Sequence, residues 1–265
     1  MNVLDLNTRY GPFLYNDCDP HFRDAIVRYG EWSWREASYW QQIVAPGDVV
    51  ISAGANIGCH VVALAQLVGE GGAVFCFEPQ LPLWQVCVAN VALANVGAQV
   101  RAFAGALGEK DGVIQMPIPD YTKETSFGGY SLRYTSVPDH VQRYPVKQYA
   151  IDGLALTRCD FIQLDIEGME DEALAGAKET LTRCQPVLYL EADYPQARLA
   201  LFKRMERIGY RAFWHIVPFF NARNYRDNPE NIWGPAVVTS WLCAPAAKAA
   251  GIDLPPVTDP MKVPA

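Results

Sequence analysis

Three groups of residues in this 265-residue chain have types and spacings that chemistry can use. The first is Gly54-Ala55-Asn56-Ile57-Gly58, placed between the β-branched run GDVVISA and the apolar-periodic CHVVALAQLV, where a strand must turn into a helix. Glycines at such a turn let a ligand approach the backbone, and the helix N-terminus supplies N–H groups without helical partners. The second is Glu78, which ends the next strand, GAVFCFEP, 20 residues after Gly58. A carboxylate there accepts hydrogen bonds from both ribose hydroxyls of an adenosine ligand. The third is Asp165 with Glu167 in DFIQLDIEG, at the end of a buried-type strand, where ligands of open α/β sheets bind and a carboxylate can serve as a base. Both acids equally suit capping of the helix that follows.

The middle of the glycine loop selects among adenosine cofactors. A pyrophosphate must lie against bare backbone, which Gly-x-Gly-x-x-Gly spacing provides; here Asn56 puts a side chain in the centre. A ligand with an amino-acid end, needing hydrogen-bond partners for a carboxylate and an ammonium, fits better. S-adenosylmethionine (SAM) meets that description. A nicotinamide-dependent oxidoreductase on a similar sheet is the weaker alternative, and a protein that binds SAM without turning it over is another.

Positioning these residues requires alternating elements. After the loop and its helix, with apolar residues at 61, 64, 65 and 68, come a second strand and helix (LWQVCVANVALANV) and the strand QVRAFAGAL. After DFIQLDIEG come a helix carrying Ala173, Leu174, Ala177 and Leu181, the strand PVLYLE, and a helix with Leu201, Met205 and Ile208. The expectation is an α/β fold with a three-layer Rossmann-like arrangement around a mostly parallel sheet, closed by an antiparallel edge hairpin from YRAFWHIVPFF and AVVTSWLCAP. Residues 109–148 break the rhythm as a loop or hairpin. Residues 1–45 read as a helical lead-in, helix-compatible from Asp24 to Val44, residues 46–245 as the main domain, and residues 246–265 as a proline-rich tail that does not fold by itself.

In this order and spacing, VVISAGANIGCHVVALAQLVGEGGAVFCFEP, DFIQLDIEGMEDEALAGA and PVLYLE resemble the FkbM family of SAM-dependent methyltransferases, from about Tyr29 to Pro245. The resemblance implies a class I methyltransferase fold with seven strands and methyl transfer to an oxygen of a sugar or secondary metabolite. It assigns Gly54, Asn56 and Gly58 to the cofactor loop, Glu78 to the ribose, and Asp165, Glu167 and Gly168 to the acidic motif. By the same fold logic Ala104, Gly105 and Ala106 flank the adenine. Two positions depart from the family, which usually has Asp where this chain has Ser52 and Lys where it has Gln163. Ser52 is expected at the cofactor's ammonium end, where a hydroxyl brings no charge; Glu31 or Glu36 would have to replace it.

His215, in the late strand FWHIVPFF, is the remaining candidate for a base, its ordinary pKa lying near neutrality. His60 reads as packing or a minor cofactor contact, while His21 and His140 carry no signal. The segments Gly128-Gly129-Tyr130-Ser131 and Phe219 to Tyr225 combine aromatic, amide and guanidinium groups suited to a polyhydroxylated small-molecule or glycan acceptor. Tyr29 to Trp32 is a candidate lid. No metal is expected, because the Asp165–Glu167 pair shows no third ligand. A formal charge of −7 and the absence of a [DN]PP[YF] motif argue against nucleic acid. Seven scattered cysteines and the lack of a long apolar run point to a cytoplasmic protein with no membrane insertion.

Overall fold

The computed structural model describes residues 1–129, 131 and 142–264. Tyr130 and His140 lie outside the described residues.

The first 45 residues are not simply helical. They open with an antiparallel hairpin of β1 (Asn2–Thr8) and β2 (Gly11–Asn16). The hairpin turns at Gly11, whose φ of 88° favours a residue without Cβ. Helix α1 (Pro20–Tyr29) follows, capped by the Asp19 carboxylate, which accepts from the His21 and Phe22 N–H groups, and carrying proline in its first turn. Gly30 stops it in the left-handed conformation. After Ser33, also left-handed, α2 (Trp34–Trp40) begins. The single helix expected from Asp24 to Val44 is therefore two, because left-handed residues at 30 and 33 reverse the chain between them. That reversal carries Trp32, Ser33 and Glu36 onto the wall of the main cavity.

From there the alternation is as the sequence implies: β3 (Val49–Ala53), α3 (Cys59–Val68), β4 (Ala73–Glu78), α4 (Leu81–Leu93) and β5 (Val100–Ala104). The excursion follows as β6 (Ala106–Leu107), β7 (Gly112–Pro117) and β8 (Arg143–Tyr149), a small sheet in which β7 and β8 are antiparallel. Then come β9 (Phe161–Leu164), α5 (Glu170–Ala175), α6 (Lys178–Cys184), β10 (Val187–Glu191), α7 (Pro195–Arg207), β11 (Tyr210–Pro218) and β12 (Val237–Pro245).

Seven strands form the main sheet in the order β11-β12-β10-β9-β3-β4-β5. Strands β10, β9, β3, β4 and β5 pair in parallel, and β12 runs antiparallel to both neighbours. The expected edge hairpin is present, with β12 inserted so that β11 is the outer strand. Both faces of the central strands are covered: Val50 and Phe161 pack with Trp40, Val61 and Leu64 on one side, while Ile51 and Ile162 pack with Leu174, Leu201 and Trp241 on the other. Burial on both faces explains why these strands read as continuous apolar runs and not as alternating ones. Strand order reverses between β3 and β9, and at such a reversal the loops at the strand C-termini diverge and leave a crevice.

Asn90, fully buried on α4, ties the amino-terminal hairpin to this frame. Its carbonyl accepts from Leu14 N–H at 2.6 Å, and its amide donates to the carbonyls of Leu14 and Ile57. The proline-rich tail borrows its order from β11: Trp214 N–H donates to the Pro255 carbonyl at 2.8 Å and Val257 N–H to the Ala212 carbonyl at 2.9 Å. Among the described residues no helix is long and apolar enough to cross a membrane.

Candidate functional site

The C-terminal ends of β3, β4, β9 and β10 open into a cavity of about 320 Å³, adjoined by a smaller one of about 60 Å³. Gly54, Glu78, Gln80, Gly128, Asp165 and Glu167 line both. The crevice at the strand reversal is thus one site with two compartments.

The glycine loop is shaped first by the chain itself. Gly54 has φ of +78°, and a Cβ there would stand 1.8 Å from the Asp165 carbonyl oxygen. Asn56 is also left-handed, at φ 47°. Ahead of the helix, between Gly54 and Gly58, all five backbone N–H groups are already bonded. Gly54 and Ala55 donate to the Phe77 carbonyl, Asn56 to Glu78 Oε2 at 2.8 Å, Ile57 to Asn56 Oδ1 and Gly58 to the Ala55 carbonyl. Gly128 rests on this loop, since a Cβ there would lie 2.8 Å from Asn56 Nδ2. Phe127 beside it is held by its N–H to Asp19 and its carbonyl to the Gln80 amide.

Glu78 is 4 % exposed and accepts from Asn56 N–H and Gln80 N–H, both at 2.8 Å. Burial pushes its carboxyl up to about 7. Gly105 and Ala106 line the small compartment with Phe77, Leu107 and Met116, whereas Ala104 is exposed and does not. Of the triplet expected to flank an adenine, two residues thus line this compartment and the first does not.

Asp165 and Glu167 both line the large cavity, and neither caps α5. No side-chain cap is present on α5 among the described residues; Glu170, its first residue, reaches back instead to accept from Ile166 N–H at 3.0 Å and Gly168 N–H at 3.3 Å. Burial, then the charges of Glu167, Glu36, Glu170 and Asp193, hold the Asp165 carboxyl well above the ordinary range. Glu167, at φ 59°, accepts from the Tyr194 hydroxyl at 2.5 Å. The third carboxylate that the sequence did not reveal is Glu191, ending β10 as Asp165 follows β9. One carboxylate oxygen each from Asp165, Glu167 and Glu191 lie within 4.8 Å of one another, close enough to share a cation. Burial, then the neighbouring carboxylates, raises Glu191 too. Asp193 and Tyr194 complete this wall.

Two candidates move behind the wall. Ser52 is fully buried and does not line the cavity. It donates its hydroxyl to Gln163 Oε1 at 2.6 Å, the two being cross-strand partners. His215 is 6 % exposed, its Nδ1 lies 2.7 Å from the Tyr189 hydroxyl and its ring packs 4.3 Å from Tyr39. Burial lowers it to about 4, and Tyr189 stands between it and the cavity, so it is not placed to take a proton from a ligand. Among the described residues, His60 and His21 are the histidines that line the cavity.

Of the Phe219–Tyr225 run, Phe219 reaches the cavity. The rest fastens the α1–α2 turn: Asn221 and Tyr225 bond the Glu31 carboxylate, and Phe220 packs on Tyr29. Trp32 lines the cavity with Phe22, their rings 4.4 Å apart. Glu36, Tyr189 and Ser240 also line it. Carboxylates at the ends of β4 and β9 made the one that ends β10 a readable signal for Glu191. Glu36 carried none that set it apart from Glu31.

The strand order, with one antiparallel strand inserted before the edge and carboxylates at successive strand ends, defines a class I methyltransferase sheet. The family model for the methyltransferase FkbM domain matches residues 52–226, and the chain belongs to that family. No curated protein matches it. Among solved structures, a methyltransferase FkbM from Methylobacillus flagellatus KT is similar, at 16 % identity and a TM-score of 0.49 over 78 % of this chain and 50 % of that one. The present chain thus spans half the length of that relative. A SAM-dependent O-methyltransferase from Thermotoga maritima matches at 13 % identity, TM-score 0.45, over 80 % of this chain and 64 % of that one. An O-methyltransferase from Bacillus cereus in complex with SAH matches at 12 % identity, TM-score 0.44, over 78 % and 77 %.

Proposed function

We propose that this chain transfers a methyl group from SAM to a hydroxyl oxygen of a small molecule or glycan, a sugar or secondary metabolite. The observation that carries the reading is the pairing of the two compartments across Glu78. In the small one Phe77, Leu107 and Met116 offer apolar walls to an adenine, and the Glu78 carboxylate between them is placed for the ribose hydroxyls. In the large one several carboxylates line the wall and, among the described residues, no Lys or Arg does, a set of acceptors that suits a sulfonium and an ammonium.

SAM, when bound, supplies a methyl group on a positively charged sulfur. The protein's own part is to orient and to manage a proton. Asp165 and Glu167 face the cavity where the acceptor hydroxyl must lie, and a carboxyl held above its ordinary pKa is a better proton acceptor than a normal one. The lining of Phe22, Trp32 and Phe219 keeps one side of the cavity dry and gives flat faces for a sugar ring. Orientation of this kind contributes several kcal/mol to such displacements. Calorimetry with SAM and with S-adenosylhomocysteine (SAH), followed by transfer from labelled SAM into a panel of glycans and metabolites, tests the reading. Failure of both ligands to bind at millimolar concentration would sink it.

A further inference from the structure

Two glutamates of the α1–α2 turn region are equally buried, at 4 % exposure each, and are treated differently. Glu31 is answered by the Arg9 guanidinium at 2.6 Å. Glu36 lines the cavity and is held by hydroxyl donors only, from Ser33, from Tyr189 at 2.9 Å and from Ser240 at 3.2 Å. Among the described residues it has no Lys or Arg partner. The nearest basic group is His60, whose Nε2 lies 3.9 Å from Glu36 Oε2 and hydrogen-bonds to nothing among the described residues. His60 is itself more than nine-tenths buried, and burial lowers it to about 4, which leaves the ring neutral at pH 7. A buried carboxylate without a cation is costly, and three hydroxyl donors fix its orientation without supplying one.

The surroundings favour the same kind of ligand. Asp165, Glu167, Glu191 and Asp193 line the cavity with Glu36, and among the described residues no Lys or Arg does. Trp32, Phe22 and Phe219 line the same cavity, and the faces of such rings attract cations, indole most strongly. Trp32, Glu36 and Ser240 fall outside residues 52–226, so this wall is not part of the region matched by the family model.

We propose that Glu36, with Trp32 from the same turn, receives a positively charged amine of the acceptor, so that the substrates are hydroxylated amines such as amino sugars and not neutral or anionic polyols. An ammonium donates to a Glu36 oxygen while its hydrocarbon side lies on the indole. The proposal rests on the methyl-transfer reading of the cavity and narrows it.

The full chain saturated with SAH is titrated at pH 7 with D-glucosamine, D-glucose and D-glucuronate, binding being followed by ligand-observed NMR. Glucosamine should bind at least about tenfold more tightly than glucose, and glucuronate not measurably. Glu36→Gln should bring glucosamine to the level of glucose and leave the SAH affinity within about threefold. Trp32→Leu, which keeps the carboxylate, should weaken glucosamine more than glucose, and it serves if Glu36→Gln does not fold. Equal binding of glucosamine and glucose, binding of none of the three, or glucosamine binding unaffected by either variant overturns the proposal. A large loss of SAH affinity in Glu36→Gln overturns it too, by assigning the carboxylate to the cofactor's own ammonium. Failure of the unaltered chain to bind SAH is a different result, and it removes the methyl-transfer reading.

Discussion

Ser52 and Gln163, side by side on β3 and β9, form a neutral hydrogen-bonded pair of 2.6 Å at positions where the family resemblance implies Asp and Lys. Both are at most 1 % exposed. The two departures noted in the sequence are thus one exchange, an ion pair replaced by an uncharged one. The expected weakness of cofactor binding does not follow from it, because Ser52 does not line the cavity.

Ser52→Asp alone should therefore not tighten SAM binding but unfold the protein more easily. A buried carboxylate with no cation costs about 3–5 kcal/mol, or roughly 10 °C in Tm for a chain of this size. The double change Ser52→Asp with Gln163→Lys should recover most of the loss. Thermal denaturation of the three proteins checks this, and a Ser52→Asp variant as stable as the parent would contradict it.

Glu78→Ala should weaken SAM and SAH alike. Two charge-assisted hydrogen bonds to a ribose are worth on the order of 3 kcal/mol together, about a hundredfold in Kd. Part of the loss arises because Asn56 and Gln80 N–H groups lose their acceptor. Calorimetry reads the change, and an unaltered Kd would remove Glu78 from the cofactor site.

Asp165→Asn should lower the rate of methyl transfer by about a hundredfold or more, the range for losing a positioned proton acceptor. His215→Gln should change it by less than about tenfold, since His215 reaches the cavity only through Tyr189. Single-turnover transfer from labelled SAM distinguishes them. Equal losses would return His215 to the list of direct participants.

Stability without ligand should fall as pH rises from about 5.5 to 7.5. Glu78 and Glu170 are both raised to about 7 by burial, so the folded state holds protons that the unfolded chain releases near 4.5. Their stabilisation is complete below that lower value and is lost through about 7. For Glu78 alone the shift corresponds to about 3 kcal/mol. Glu36, Asp165, Glu167, Glu191 and Asp193 act in the same sense. His60 and His215, lowered to about 4, act oppositely, their contribution being lost as pH falls from about 6.5 through 4, but they are outnumbered. A Tm that climbs between pH 5.5 and 7.5 would refute this balance.

The central sheet was legible because its strands are buried on both faces, which leaves apolar runs such as FIQL and VLYL, and because glycine and acidic residues mark their ends. Glu78, Asp165 and Gly105 fall at such ends and were found. The hairpin of β1 and β2 was not, since one strand is largely exposed and its docking on the sheet's frame uses Asn90, far along the chain. That Glu36, and not Glu31, lines the cavity was illegible for a related reason. Whether a helical glutamate faces water or a cavity is decided by where Gly30 and Ser33 turn the chain, and then by Tyr189 and Ser240 from other elements. His215 misled because a strand histidine looks the same in sequence whether its nitrogen meets a ligand or a tyrosine.

The strip from Pro255 to Val257 lies along β11, the outermost strand of the sheet. It consumes the Trp214 donor and the Ala212 acceptor, and as Pro-Pro-Val it returns few N–H groups on its far side. The sheet therefore ends in a border that offers little for another strand to grow on. A chain shortened before Leu254 would bare the alternating groups of β11 and turn a finished margin into a template for its own neighbours.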